Sequence, residues 1–95
     1  MSNYKEEFPL YDDTLELPKG WQDVSWRHDA CPCFKREIGE VNFLIYCEYK
    51  DPNKRESNSD LRFIVYFEDA VNFVCIAQTK SLAGALAIVD KELEL

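Results

Sequence analysis

Three segments of this chain alternate apolar and polar residues, and a fourth repeats apolar residues at helical spacing. The alternating segments are Val41–Lys50, Leu61–Glu68 and Val71–Thr79, and the helical one is Ser81–Leu95. A period of two is typical of a half-buried strand, whereas steps of three and four residues are typical of an amphipathic helix. The pattern therefore predicts an α+β fold: an antiparallel sheet of three to four strands in meander order, packed on one C-terminal helix.

Two further features of the sequence are a weaker candidate strand and the residue at which the helix begins. Cys33–Ile38 alternates weakly before a turn at Gly39 and is a candidate first strand. Ser81 is a plausible N-cap, because its hydroxyl can accept from a backbone N–H of the first helical turn. We expect a single domain over residues 1–95, with 1–34 an irregular covering segment and 35–95 the sheet and helix.

The strand pattern leaves two apolar sheet faces, and one helix can cover only one of them. On the helix side we expect a core of Phe63, Val65, Phe73, Leu86 and Val89. The second face is expected to hold Leu44, Tyr46, Ile64, Tyr66, Val74 and Ile76. An apolar patch of this size is rarely left exposed to solvent, so we expect other residues to pack on it. The favoured cover is the N-terminal third, through Phe8, Leu10, Leu17, Trp21 and Trp26, and the alternative is another protein chain, including a second copy in a homodimer.

Composition and charge narrow the possible partners. The chain has 95 residues, 46% of them hydrophobic, and a net charge of −7. That charge repels phosphate backbones, so we expect no direct binding to nucleic acid or anionic lipid, and a basic protein surface is the more natural partner. Apolar runs such as Phe43–Cys47 are too short to span a membrane, and acidic residues replace the basic start of a secretion signal. We therefore expect a cytoplasmic protein.

Four cysteines raise the question of disulfides. Cys47 and Cys75 are expected on one face but two strands apart, roughly 9.5 Å at the usual strand spacing. A disulfide needs a shorter Cα separation, so both are interpreted as reduced core residues.

The segment around Cys31 carries the most suggestive chemistry. His28, Cys31 and Cys33 place an imidazole and two thiols within six residues. These residues are candidate zinc ligands or a thiol nucleophile with its base. However, Pro32 resists the chain reversal that a closely spaced thiolate pair needs, and no glycine turn supplies an oxyanion site. We expect structural packing, with no catalytic residue, metal or cofactor, while a small metal-binding protein and a small thiol-dependent enzyme remain alternatives.

The function that these observations favour is a small non-enzymatic protein-protein interaction module. Its strand-strand-strand-helix order is similar to that of many small bacterial and phage proteins, including some anti-CRISPR inhibitors. The resemblance is one of topology, implies an inhibitor or adaptor from a mobile element, and transfers no residue. Candidate contact residues lie in the Trp26–Phe34 segment, in the polar Asp51–Asp60 loop, expected to be mobile and unanchored, and on the second sheet face: Trp26, Arg27, His28, Asp29, Lys54, Arg55, Tyr46 and Tyr66.

Overall fold

The chain forms one five-stranded antiparallel sheet with a helix at its C-terminal end. The computed structural model describes residues 3–56 and 60–93. Strands pair in sequence order, β1 to β5. The elements are α1 (Tyr4–Glu7), β1 (Trp21–Asp23), β2 (Cys33–Ile38), β3 (Val41–Cys47), a short 3-10 helix (Pro52–Lys54), β4 (Phe63–Glu68), β5 (Phe73–Thr79) and α2 (Leu82–Leu93).

This architecture confirms the predicted α+β meander and C-terminal helix, but the sheet has five strands where three or four were expected. The additional strand, β1, lies within the segment predicted to be irregular and pairs with β2 through Gln22 and Lys35. Three residues bounded by a glycine turn carry too little periodicity to be recognised as a strand. The weakly patterned Cys33–Ile38 segment is confirmed as β2.

Local side-chain hydrogen bonds close the last hairpin and begin α2. The Asp69 carboxylate accepts from the backbone N–H groups of Val71 and Asn72, which fixes the turn between β4 and β5. Ser81 Oγ accepts from the Gly84 N–H at 3.0 Å, so the predicted N-cap is confirmed.

A β-bulge in β5 changes which residues face the helix. Val65 pairs with Ala77, whereas its neighbour Tyr66 pairs with Cys75, so Ile76 is the extra residue. One extra residue exchanges the two faces for the rest of a strand. Phe73 and Cys75 therefore point away from α2. The predicted core position of Phe73 is wrong, as is that of Cys75, and Val74 belongs to the helix side.

The first part of the N-terminal third, with Tyr4, Leu15 and Leu17, packs on the same sheet face as α2, so the prediction that this third covers the second face is wrong. Within that third, the β1–β2 connection borders the second face, through Asp29, Ala30 and Cys31. Tyr4 and Leu15 join a buried cluster with Ile45, Val65 and the helix residues Ala85 and Val89. Sheet width explains the difference. Five strands at about 4.8 Å spacing span about 19 Å, whereas a helix is about 10–12 Å across. One helix cannot cover the whole face, and the N-terminal residues complete it.

Polar contacts hold the N-terminal segment on that face. The Tyr11 hydroxyl lies 3.1 Å from the Cys47 and Glu48 carbonyl oxygens, to which it can donate, and accepts from the Arg62 guanidinium. Arg62 also pairs with Asp13 at 2.8 Å. Burial raises the pKa of Tyr11, which keeps this hydroxyl protonated and able to donate.

The loop after β3 is anchored in its first half, contrary to the prediction of an unanchored excursion. The Asp12 carboxylate accepts from the backbone N–H groups of Lys50 and Asp51 at 2.8 and 2.7 Å. Arg55 donates to the carbonyl oxygens of Tyr49 and Lys50. Residues 57–59 of this predicted loop lie outside the described residues. Within the part of the chain that the structure describes, no helix is both long and apolar enough to cross a membrane.

Candidate functional site

The side of the sheet away from α2 carries a partly uncovered apolar surface, which we call the open face. On the helix side, Ile45 and Val65 are fully buried. On the opposite side Tyr46, Ile64 and Tyr66 remain partly accessible to solvent, and Phe73 and Cys75 are exposed. Strand pairing brings the open-face residues together: Leu44, Tyr46, Ile64, Tyr66, Phe73 and Cys75.

Three aromatic rings form a continuous row across the open face. The centroids of Tyr46 and Tyr66 lie 5.5 Å apart with the rings nearly perpendicular, and Tyr66 and Phe73 stack at 4.7 Å. Ring contacts of this kind hold aromatic side chains in fixed positions. Phe73 nevertheless keeps 51% of its surface exposed. The row is therefore a pre-ordered apolar surface with area still available for contact.

An acidic cleft borders this aromatic row. It has a volume of about 220 Å³, and its lining includes three aromatic and three carboxylate side chains: Tyr46, Tyr66, Phe73, Asp29, Glu48 and Glu56. The β1–β2 connection supplies one wall. A turn in which the Asp29 N–H donates to the Trp26 carbonyl at 2.9 Å, followed by the buried Cys31 and Pro32, sets Asp29 there.

Glu48 is the most unusual residue of this cleft. Only 7% of its surface is exposed, and its Oε2 atom has no hydrogen-bond partner among the described residues. Burial raises the pKa of the Glu48 carboxyl, and the nearby Glu56 carboxylate raises it further, while the Arg55 guanidinium and a hydrogen bond from the Glu56 backbone N–H act in the opposite direction. A buried carboxylate oxygen without a donor is costly, so the cleft carries an unmet requirement for a hydrogen-bond donor.

The open face ends at β5, whose outer edge pairs with no other strand in the described part of the chain. β5 pairs with β4 on one side and is the last strand of the sheet. Its first four residues, Phe73 to Ile76, are all exposed. Such an edge presents unpaired backbone N–H and carbonyl groups to which another strand can bind.

The predicted metal and thiol candidates do not converge. Cys31 and Cys33 are buried, while His28 is exposed and packs its ring on Trp26 at 4.8 Å. Burial raises the pKa of the Cys33 thiol to about 12 and also raises that of Cys31, so both stay protonated near neutral pH. In residues 3–56 and 60–93, no three His, Cys, Asp or Glu side chains are placed to hold a metal ion. All four cysteines are free thiols.

The predicted contact residues separate into two groups. Tyr46, Tyr66 and Asp29 meet at the acidic cleft. Arg27 and Lys54 line a second depression of about 550 Å³ instead, where the Arg27 guanidinium pairs with Glu7 at 3.3 Å. Trp26 and His28 are exposed and line neither depression, and the Arg55 guanidinium donates to the Tyr49 carbonyl oxygen in the β3–β4 loop.

Two cleft residues lie outside the segments and the sheet face predicted for contact, Glu48 and Phe73, whereas Glu56 belongs to the predicted Asp51–Asp60 loop. Glu48 continues the alternation of Leu44 and Tyr46 beyond the end of β3, so its position in the sequence predicts that it points to the same side of the sheet. No pattern in the sequence marks the bulge that turns Phe73 to this face. Comparison with known protein families, with curated proteins and with solved structures finds no match to this chain.

Proposed function

We propose that this chain is a non-enzymatic protein-protein interaction module that binds a partner on its open face and along the β5 edge. The observation that carries the proposal is the position of the N-terminal third. Because the first part of that segment packs on the helix side and only its β1–β2 connection borders the open face, the aromatic row of Tyr46, Tyr66 and Phe73 stays accessible among the described residues. Exposed aromatic residues at fixed positions are typical anchors of protein interfaces.

The net charge of the chain indicates which class of partner protein it binds. The chain carries a net charge of −7, and three carboxylate side chains border the aromatic row. A second copy would bring these acidic surfaces together, whereas a partner with a basic surface would pair with them. We therefore propose a partner protein with a basic surface, which offers an extended segment to β5. The four free thiols of the chain favour action in a reducing compartment such as the cytoplasm.

Selection from a library of random displayed peptides tests this proposal, because it requires no identified partner. The full-length chain is immobilised, and the selected peptides are tested against Tyr66→Glu and, as a matched control, Leu10→Glu. Leu10 is 76% exposed and lies outside the open face. Both variants add the same charge at an accessible apolar position.

The expected result is a set of peptides with net positive charge whose binding is lost with Tyr66→Glu and kept with Leu10→Glu. Their binding should shift backbone resonances of β5 and the open face in nuclear magnetic resonance spectra of the protein. Selected peptides without a positive charge, or equal loss of binding in both variants, would contradict the proposal. Circular dichroism confirms that each variant is folded.

A further inference from the structure

We infer that the acidic cleft binds the guanidinium group of an arginine side chain from the partner. This inference rests on the proposed function, because it names the partner group that the open face recognises. The cleft combines aromatic rings with carboxylates, a combination that attracts a cation through both the ring faces and opposite charge.

The size of the cleft suits one long side chain. Its volume of about 220 Å³ lies below the roughly 300–1,000 Å³ of pockets that hold whole small-molecule ligands. A single side chain that projects from an extended segment on β5 can enter it, since Phe73 belongs both to β5 and to the cleft lining.

The missing hydrogen bond of Glu48 points to a donor. Glu48 lines the cleft, is more than nine-tenths buried and has one carboxylate oxygen with no partner among the described residues. The lining offers carboxylates from three different segments of the chain: Asp29, Glu48 and Glu56. A guanidinium has five N–H donors in one plane and can satisfy several acceptors at once, which an ammonium does less well.

The aromatic row favours the same group. A guanidinium is planar and weakly hydrated, so it stacks on ring faces at little desolvation cost. Phe73 stacks on Tyr66 and keeps half of its surface exposed. Stacking on that exposed surface would place the guanidinium beside the carboxylates of the cleft.

Titration of the isotope-labelled full-length protein with N-acetylarginine amide tests this inference. N-acetylcitrulline amide is the matched probe, because citrulline has nearly the shape of arginine without the charge, and N-acetyllysine amide tests charge alone. The protein variants are Glu48→Gln, Glu56→Gln and, as a control, Glu37→Gln, an exposed acid on β2 that pairs with Lys35 outside the cleft. Glu56 is exposed, so its substitution leaves the fold intact.

We expect saturable shifts of the Tyr46, Ile64, Tyr66 and Phe73 amide resonances with the arginine probe. Glu48→Gln should weaken binding about tenfold, since it removes a charge-assisted hydrogen bond, and Glu56→Gln about two- to fivefold. Glu37→Gln should leave binding unchanged. Citrulline shifts equal to those of arginine, equally tight lysine binding, or no saturable shifts would overturn the inference.

The two proposals fail separately. Selected peptides that bind the open face without arginine would retain the proposed function and reject the guanidinium site. Saturable arginine binding in the cleft, together with peptides that all bind outside the open face, would retain the site and reject the proposed function.

Discussion

Tyr66 and Phe73 lie with their rings nearly parallel, 4.7 Å between centroids and 8° between planes, on two neighbouring strands. Their backbones are diagonal neighbours, because Tyr66 pairs with Cys75 and Phe73 pairs with Glu68. This stacking requires the bulge at Ile76: without it, Phe73 would point to the helix side. A single inserted residue thus places an aromatic side chain at the edge of the open face.

The bulge predicts opposite outcomes for two phenylalanines. Phe63 is 3% exposed on the helix side, so Phe63→Ala should lower the free energy of unfolding by about 3–5 kcal/mol. Phe73→Ala removes an exposed ring and one stacking contact, and should cost at most about 1.5 kcal/mol. Urea denaturation of both variants measures the difference. Equal losses of unfolding free energy would show that Phe73 is a core residue and would contradict the bulge.

Thiol reactivity should distinguish Cys75 from the other cysteines. Cys75 is exposed, whereas Cys31, Cys33 and Cys47 are buried, and burial raises the pKa of each of these three thiols. A maleimide should therefore modify one thiol of the native protein rapidly and the remaining three after unfolding. The matched variant Cys75→Ser should lose the rapid reaction. Rapid modification of two or more thiols in the native wild type would contradict the described burial.

Replacing Glu48 with glutamine should stabilise the protein at neutral pH. Because the native-state pKa of Glu48 is raised, the native protein keeps this proton over a pH range in which the unfolded chain has lost it. The contribution of Glu48 to stability is thus full below the ordinary glutamate pKa near 4.5 and is lost as pH rises through the native pKa. Glu48→Gln should match wild type near pH 3 and exceed it at pH 7.

Thermal unfolding of Glu48→Gln from pH 3 to 8 measures this effect, with Glu37→Gln as the control for the loss of one negative charge. A Glu48→Gln variant with the stability of Glu37→Gln at every pH would show that the Glu48 carboxyl is not destabilised by its surroundings. Combined with weaker arginine binding, a more stable variant would identify Glu48 as a residue kept for binding at the expense of stability.

The Tyr11 hydroxyl should contribute measurably to docking of the N-terminal segment. Tyr11→Phe removes its contacts with Arg62 and with the backbone carbonyls at the end of β3, and should lower the free energy of unfolding by about 1–2 kcal/mol. Tyr49→Phe removes a hydroxyl from the ring that packs on Tyr11 at 5.1 Å and should change stability by less than about 0.5 kcal/mol. Urea denaturation measures the free energy of unfolding of both variants. Equal losses would contradict a specific contribution of the Tyr11 hydroxyl to docking.

The sequence predicts the sheet and helix well because their signals are local. Alternation in β3 and β4, and the stripe and N-cap of α2, follow from neighbouring residues. The position of the N-terminal third does not, because its apolar residues fit either face of the sheet. The number of strands decides the face, because it sets how much of the helix side α2 leaves uncovered. β1 is too short to be recognised as a strand from the sequence.

The candidate site was predicted only in part for a similar reason. The alternation along β3 and β4 predicts that Tyr46 and Tyr66 point to the open face. Phe73 points there only because a bulge in β5 shifts the alternation by one residue. Glu56 reaches the cleft from a loop whose path is set by tertiary contacts, among them the Asp12 carboxylate. A partner cannot be named from these residues, because they specify the chemistry of a surface and not the protein that binds it.

The packing of the N-terminal segment also implies an order of folding. The four strand pairs join neighbours in the chain and close loops of at most 15 residues, whereas the Tyr11 hydroxyl reaches a carbonyl 36 residues away at Cys47. Closing that larger loop is entropically slower, and the surface that receives Tyr11 does not exist until β3 has formed. During synthesis the first part of the chain to leave the ribosome is therefore expected to be among the last to dock, so Tyr11→Phe should accelerate unfolding and leave the folding rate nearly unchanged.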